Sequence, residues 1–146
     1  MIMIRKMEGR KTILQFVKYG LVGVMNTLIT LVVIFLCKSI LGISPMVSNA
    51  IGYVAGLINS FLWNKKWVFK SDNGYVKEAV KFALGWGICY CVQFAVVYYL
   101  SYHTVFGLKE WSIGFMVISG YGVATLVGMI AYTIANFVYN RFVTFR

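Results

Sequence analysis

In 146 residues the chain carries 60% hydrophobic and only 12% charged residues, with a formal net charge of +10 and a mean hydropathy of +0.78. A soluble domain holds roughly 25% charged residues, so this deficit excludes a water-bathed globule and makes the bilayer the main solvent. The cations lie between the apolar stretches, which points to anionic headgroups rather than nucleic acid as their partner.

A helix needs about 20 predominantly apolar residues to cross the hydrocarbon core. The chain starts with a basic segment, and residues 5–16 read as an interfacial approach to a first span over 19–37. This stretch is too long for a signal peptide and lacks a small-residue cleavage pattern. A second span is predicted over 46–63, after a short turn at 42–45. Ser71, Asp72, Asn73 and Gly74 then form a turn cluster. Beyond it Val76, Ala79, Val80 and Ala83 recur at helical spacing, opposite Lys77, Glu78 and Lys81. That pattern predicts a short interfacial helix with its charges in water. The third span follows over 82–102, and the fourth over 112–139. None of the four has an acidic or basic residue in its interior, which sets aside a proton-coupled exporter.

Twelve of the 14 cations precede the first span, lie between the second and third, or follow the fourth. Only Lys38 and Lys109 fall on the other side. The positive-inside rule therefore places both termini in the cytoplasm. The ends of the second and fourth spans also repeat each other, NSFLWNKKWVFK at 59–70 and ANFVYNRFVTFR at 135–146. Phe61 pairs with Phe137, Trp63 with Tyr139, Asn64 with Asn140, Lys65 with Arg141, and Phe69 with Phe145. The expected fold is an all-α integral membrane protein, a single domain over 1–146. It has four transmembrane helices, arranged as two same-orientation helical-hairpin repeats with N and C termini inside.

The spans carry stripes. Ser48, Gly52, Gly56 and Ser60 recur every fourth residue, and Ala124 and Gly128 occupy the matching places of the repeat. Small residues at this spacing let helices approach closely, either within the chain or between two copies. Asn26, Thr27, Gln93 and Asn136 are polar at membrane depth, where an unpaired amide is costly. Each should therefore face another helix. Cys37, Cys89 and Cys91 have no metal-ligand spacing and read as buried, inert thiols. No catalytic constellation, metal site or nucleotide loop is visible, so neither enzymatic activity nor a cofactor is expected.

Three blocks in order carry a resemblance. They are Phe16-Val-Lys-Tyr-Gly-Leu-Val-Gly23 with Asn26-Thr27, then Asn59 to Phe69, then Asn136-Phe137 to Phe145. On a four-span frame this set resembles the GtrA-like membrane proteins. Lys66 stands where arginine is common in that family, and Phe142-Val143 replaces a tryptophan-valine pair; neither change removes a cation. The resemblance implies a multi-pass protein of the bacterial cytoplasmic membrane, working in cell-surface polysaccharide synthesis or teichoic acid glycosylation. Its role would be to flip, or help flip, a polyprenyl-phosphate-linked sugar made by a separate glycosyltransferase. The alternative is a scaffold or anchor for that glycosyltransferase which moves nothing.

Such a lipid needs cations at the interface and polar groups within. The candidate headgroup residues are Asn64, Lys65, Lys66, Asn140 and Arg141, although snorkelling cations that merely anchor the spans would look the same. Asn26, Thr27, Gln93 and Asn136 would either bond between helices or line a polar path. Trp67 is a belt residue that alternatively stacks on a sugar ring. Four spans enclose little volume, so a homo-oligomer, most simply a dimer, is expected.

Overall fold

A computed structural model describes residues 2–103, 111–113 and 116–146. Helix α1 is Ile2–Phe35, α2 is Pro45–Trp63, α3 is Tyr75–His103 and α4 is Gly120–Tyr139. The first, second and fourth helices each run into a wide π-helical turn: Leu36–Ile40, Asn64–Phe69 and Asn140–Thr144. Among the described residues four stretches are long and apolar enough to cross a membrane: Arg10–Ile40, Pro45–Phe69, Tyr75–His103 and Gly120–Thr144. The predicted all-helical, four-span frame is therefore present.

Strands β1 (Trp111–Ile113) and β2 (Met116–Ile118) form a short antiparallel pair, with Ser112 opposite Val117. This segment was expected to open the fourth span. Its isoleucines and valine suit extended backbone as well as helix. The helix begins instead where Ser119 caps it, its hydroxyl accepting the Gly122 N–H at 3.1 Å. The predicted outer loop at 103–111 lies largely outside the described residues.

The chain divides into two compact units. One runs to Asn73 and takes in Phe145; the other runs from Gly74 to Thr144 and takes in Arg146. In the first, Gly42 turns the chain with φ +66° and Pro45 occupies the first turn of α2, where its missing N–H costs nothing. The buried stripe of α2, Ser48, Gly52 and Gly56, packs on α1. A Cβ on Gly52 would lie 2.5 Å from the Ile34 side chain and 3.0 Å from the Thr30 carbonyl, and one on Gly56 would run into the Thr30 hydroxyl.

The second unit packs in the same manner. Gly120, Ala124 and Gly128 are the buried small residues of α4. A Cβ on Gly128 would meet Val97 at 2.5 Å and Gln93 at 3.3 Å, while one on Gly85 of α3 would overlap the Tyr139 ring. Both small-residue stripes thus pack within their own units.

The start of α3 reverses the expectation from its amphipathic pattern. No separate interfacial helix precedes the span, since α3 is continuous from Tyr75. Val76 and Val80 are 80% and 56% exposed, whereas Glu78 is 1% exposed and lines up with buried Phe82, Gly85 and Cys89. The pattern was read as for a surface helix, apolar side inward. In a bilayer the apolar side is the one that faces the solvent, and Glu78 turns in, while Lys77 stays exposed.

Candidate functional site

The last turn of α2 passes into the π-helical turn at Asn64, which is buried. Its Nδ2 donates to the Ser60 carbonyl at 2.8 Å and to the Ser60 hydroxyl at 3.3 Å, while Oδ1 is buried without a partner among the described residues. The turn ends at Lys70 in the left-handed region, with φ 52° and ψ 50°. The Ser71 N–H then donates back to the Lys65 carbonyl at 3.0 Å. This reversal brings Asn73 beneath the turn, and the Lys65 ammonium donates to the Asn73 carbonyl at 2.6 Å.

Lys65 is consequently only 2% exposed. Its expected place as an open headgroup contact is not what the structure shows; it holds the loop after α2. The neighbouring Lys66 is the exposed cation of the turn. Trp67 is half-buried, set edge-on to Trp63 at 6.0 Å, and carries the Lys18 ammonium 5.2 Å from its ring centre. A cation over the ring competes with any sugar for that face. The rings of Phe61, Phe69 and Phe145 complete this end of the unit, with Phe69 and Phe145 stacked at 5.1 Å.

The corresponding end of α4 is built from a chain of amides. Asn140 is fully buried and its Nδ2 donates to Asn136 Oδ1 at 3.1 Å; Asn136 Nδ2 lies 3.2 Å from the Tyr132 hydroxyl. Asn140 Oδ1 and Thr144 Oγ1 are buried with no hydrogen-bond partner among the described residues. The Lys81 ammonium donates to the Val143 carbonyl at 2.9 Å and so ties α3 to the turn after α4. Arg141 is half-buried, its guanidinium 5.4 Å from the Phe142 ring centre.

The residues expected at membrane depth separate. Asn26 is half-buried against Gly56, with its Oδ1 buried and, among the described residues, unpartnered. Gln93 contacts the Gly128 position. Thr27 does not face a helix: it is exposed, and its hydroxyl donates to the Gly23 carbonyl of its own helix at 3.2 Å. Asn136 belongs to the amide chain above. Cys37 and Cys89 are buried as expected, but Cys91 is exposed. Among the described residues no group of His, Cys, Asp or Glu is arranged to hold a metal.

Glu78 and Thr144 are buried polar residues that the sequence pattern did not single out. Thr144 follows Asn140 and Asn136 at four-residue spacing on one face, a signal available in the sequence. Glu78 stands four residues before buried Phe82, but only knowledge of which face meets lipid would have turned it inward.

Four membrane-crossing stretches, two of them ending in a wide turn with a buried asparagine and a cation next to it, define a small multi-pass membrane protein. Residues 18–145 match the family described as GtrA/DPMS, transmembrane domain. The chain belongs to that family. It is similar to the cell wall teichoic acid glycosylation protein GtcA of Listeria innocua, with 24% identity over 132 residues, 88% of this chain and 82% of the relative. It is also similar to the uncharacterized membrane protein YngA of Bacillus subtilis, with 37% identity over 71 residues, 46% of this chain and 45% of that one.

Proposed function

We propose that the protein serves glycosylation of a cell-surface polymer by promoting passage of a polyprenyl-phosphate-linked sugar across the bacterial cytoplasmic membrane. Family membership and the relative named for teichoic acid glycosylation support the pathway. One observation carries the step: each unit closes its second helix with the same wide turn, a buried asparagine followed by cations. On this reading both turns lie at the cytoplasmic headgroup level, with both termini inside.

In each unit the outermost cation of the turn, Lys66 in the first and Arg141 in the second, is then available to a phosphate. Arginine forks onto phosphate oxygens, while lysine acts as a point charge. Lys65, Asn64 and Asn140 hold the turns that present them. The role is non-catalytic: a separate glycosyltransferase makes the lipid-linked sugar, and consumption on the far side draws the flux. A dimer would supply the volume that four helices lack.

The test is translocation in sealed proteoliposomes loaded with a polyprenyl-phosphate hexose, read by an impermeant sugar-modifying reagent. Faster exposure than in empty liposomes is expected, slowed by replacing Lys66 and Arg141 with glutamine. No acceleration by folded protein would refute the transport step and favour a scaffold for the glycosyltransferase.

A further inference from the structure

Five aromatic residues recur at every fourth position of α3: Trp86, Tyr90, Phe94, Tyr98 and Tyr102. All are exposed, by 48, 55, 66, 52 and 75% respectively. Trp86 stacks on Tyr90 at 6.0 Å, and Tyr98 lies 5.0 Å from Tyr102. At 1.5 Å rise per residue the row extends ~24 Å along the helix, most of the ~30 Å hydrocarbon thickness. Tyrosines ordinarily collect at the two membrane surfaces. Tyr90, however, stands near the middle of the helix Tyr75–His103, and a phenol in hydrocarbon is costly without a polar partner.

A cleft of about 110 Å³ opens beside the middle of this row, lined by Tyr90, Gln93, Phe94, Val97, Tyr121 and Thr125. Thr125 donates its hydroxyl proton to the Tyr121 carbonyl at 2.8 Å, which leaves the oxygen lone pairs as acceptors. The Gln93 side chain takes part in no hydrogen bond among the described residues, although it is half-buried. The cleft therefore offers ring faces, one amide and hydroxyl acceptors together, between α3 and the first turns of α4.

An acyl or prenyl chain would use the rings and leave the amide and phenols unsatisfied. A pyranose uses both. Its polarised C–H face suits the negative face of an aromatic ring, and its hydroxyls suit the amide and the threonine, the mixed lining typical of a specific pocket. We propose that the α3 aromatic row and its cleft bind the pyranose ring of a lipid-linked sugar and guide it through the bilayer interior. This rests on the substrate class proposed above, and it assigns the sugar a site on the second unit, separate from the phosphate cations.

The experiment uses the full chain in phospholipid vesicles with a polyprenyl-phosphate hexose that carries a photoactivated diazirine on the sugar. Labelled residues are mapped by mass spectrometry. Labelling is expected at Tyr90, Gln93, Phe94 and Thr125, and it should be suppressed by excess unmodified lipid-linked hexose. Gln93→Leu and Tyr90→Leu should each lower it about tenfold, while Tyr90→Phe, which keeps the ring and the packing, should retain most of it. Labelling spread evenly along α3, insensitive to competitor or unchanged in the leucine variants, overturns the proposal. So does labelling of the cleft by a tail-borne diazirine in place of the sugar-borne one. Translocation measured in the same vesicles separates the two readings: cleft labelling without transport refutes the transport step alone, and transport without cleft labelling refutes this site alone.

Discussion

The closest helix approach in the first unit makes a quantitative prediction. A Cβ on Gly56 would overlap the Thr30 hydroxyl, and it would then find Asn26 Oδ1 at 3.3 Å. Thr30 is β-branched and held to few χ1 rotamers in a helix, so its oxygen cannot swing aside freely. Gly23 of α1 has nothing within 4 Å of the same probe position. Substituting alanine at either glycine gains about 0.5–1 kcal/mol of helix preference. Only Gly56→Ala also incurs overpacking, about 1–3 kcal/mol. Comparing the two cancels the propensity gain, so Gly56→Ala should be less stable than Gly23→Ala by about 1–3 kcal/mol. Adding Thr30→Ala to Gly56→Ala removes the colliding oxygen and should restore most of that loss. The assay is denaturant unfolding in micelles, followed by far-ultraviolet dichroism as a double-mutant cycle. Equal stability of Gly56→Ala and Gly23→Ala, or no coupling between positions 30 and 56, would refute the packing argument.

Three further outcomes are expected. Lys65→Met removes the donor that holds the Asn73 carbonyl, and the chain after α2 should become measurably more sensitive to protease added to the protein in micelles. Asn136→Leu breaks both links of the Asn140–Asn136–Tyr132 chain; at about 0.6 kcal/mol per interhelical or intramembrane contact, unfolding should show a loss of about 1 kcal/mol, and a larger stability than wild type would contradict the network. Joint replacement of Lys66 and Arg141 by glutamine should lower surface-polymer glycosylation in cells while membrane protein abundance, read by immunoblot, stays the same.

Hydropathy and lysine-arginine placement made the four spans legible, because in a bilayer each depends on length and composition alone. The small residues of α2 and α4 were legible as close-packing stripes for the same reason: spacing decides which face they share. The beginning of α4 was not, since Ser112 to Ile118 is as apolar as a span, and only the cap at Ser119 distinguishes strand from helix there. The burial of Glu78 was misread because an amphipathic pattern carries no label for which side is solvent. Lys65 was placed at the right end of the right helix, but its engagement depends on the left-handed turn at Lys70. That reversal brings a carbonyl eight residues away onto the ammonium, a three-dimensional coincidence with no periodic signature. Thr27 and Asn26, adjacent in sequence, show how one helical step of about 100° decides between lipid and a neighbouring helix.

The self-contained packing of α1 on α2 bears on synthesis. The stripe of Ser48, Gly52 and Gly56 meets its partners on α1 as soon as the second helix has left the ribosome, so that pair can dock while the rest of the chain is still being made. The ring cluster at its end is different. Phe145 stacks on Phe69 and lies 6.0 Å from Phe61, yet it is translated after all four helices. A nascent chain therefore carries a docked first hairpin with an open aromatic seat, and that seat is filled only once α4 has emerged.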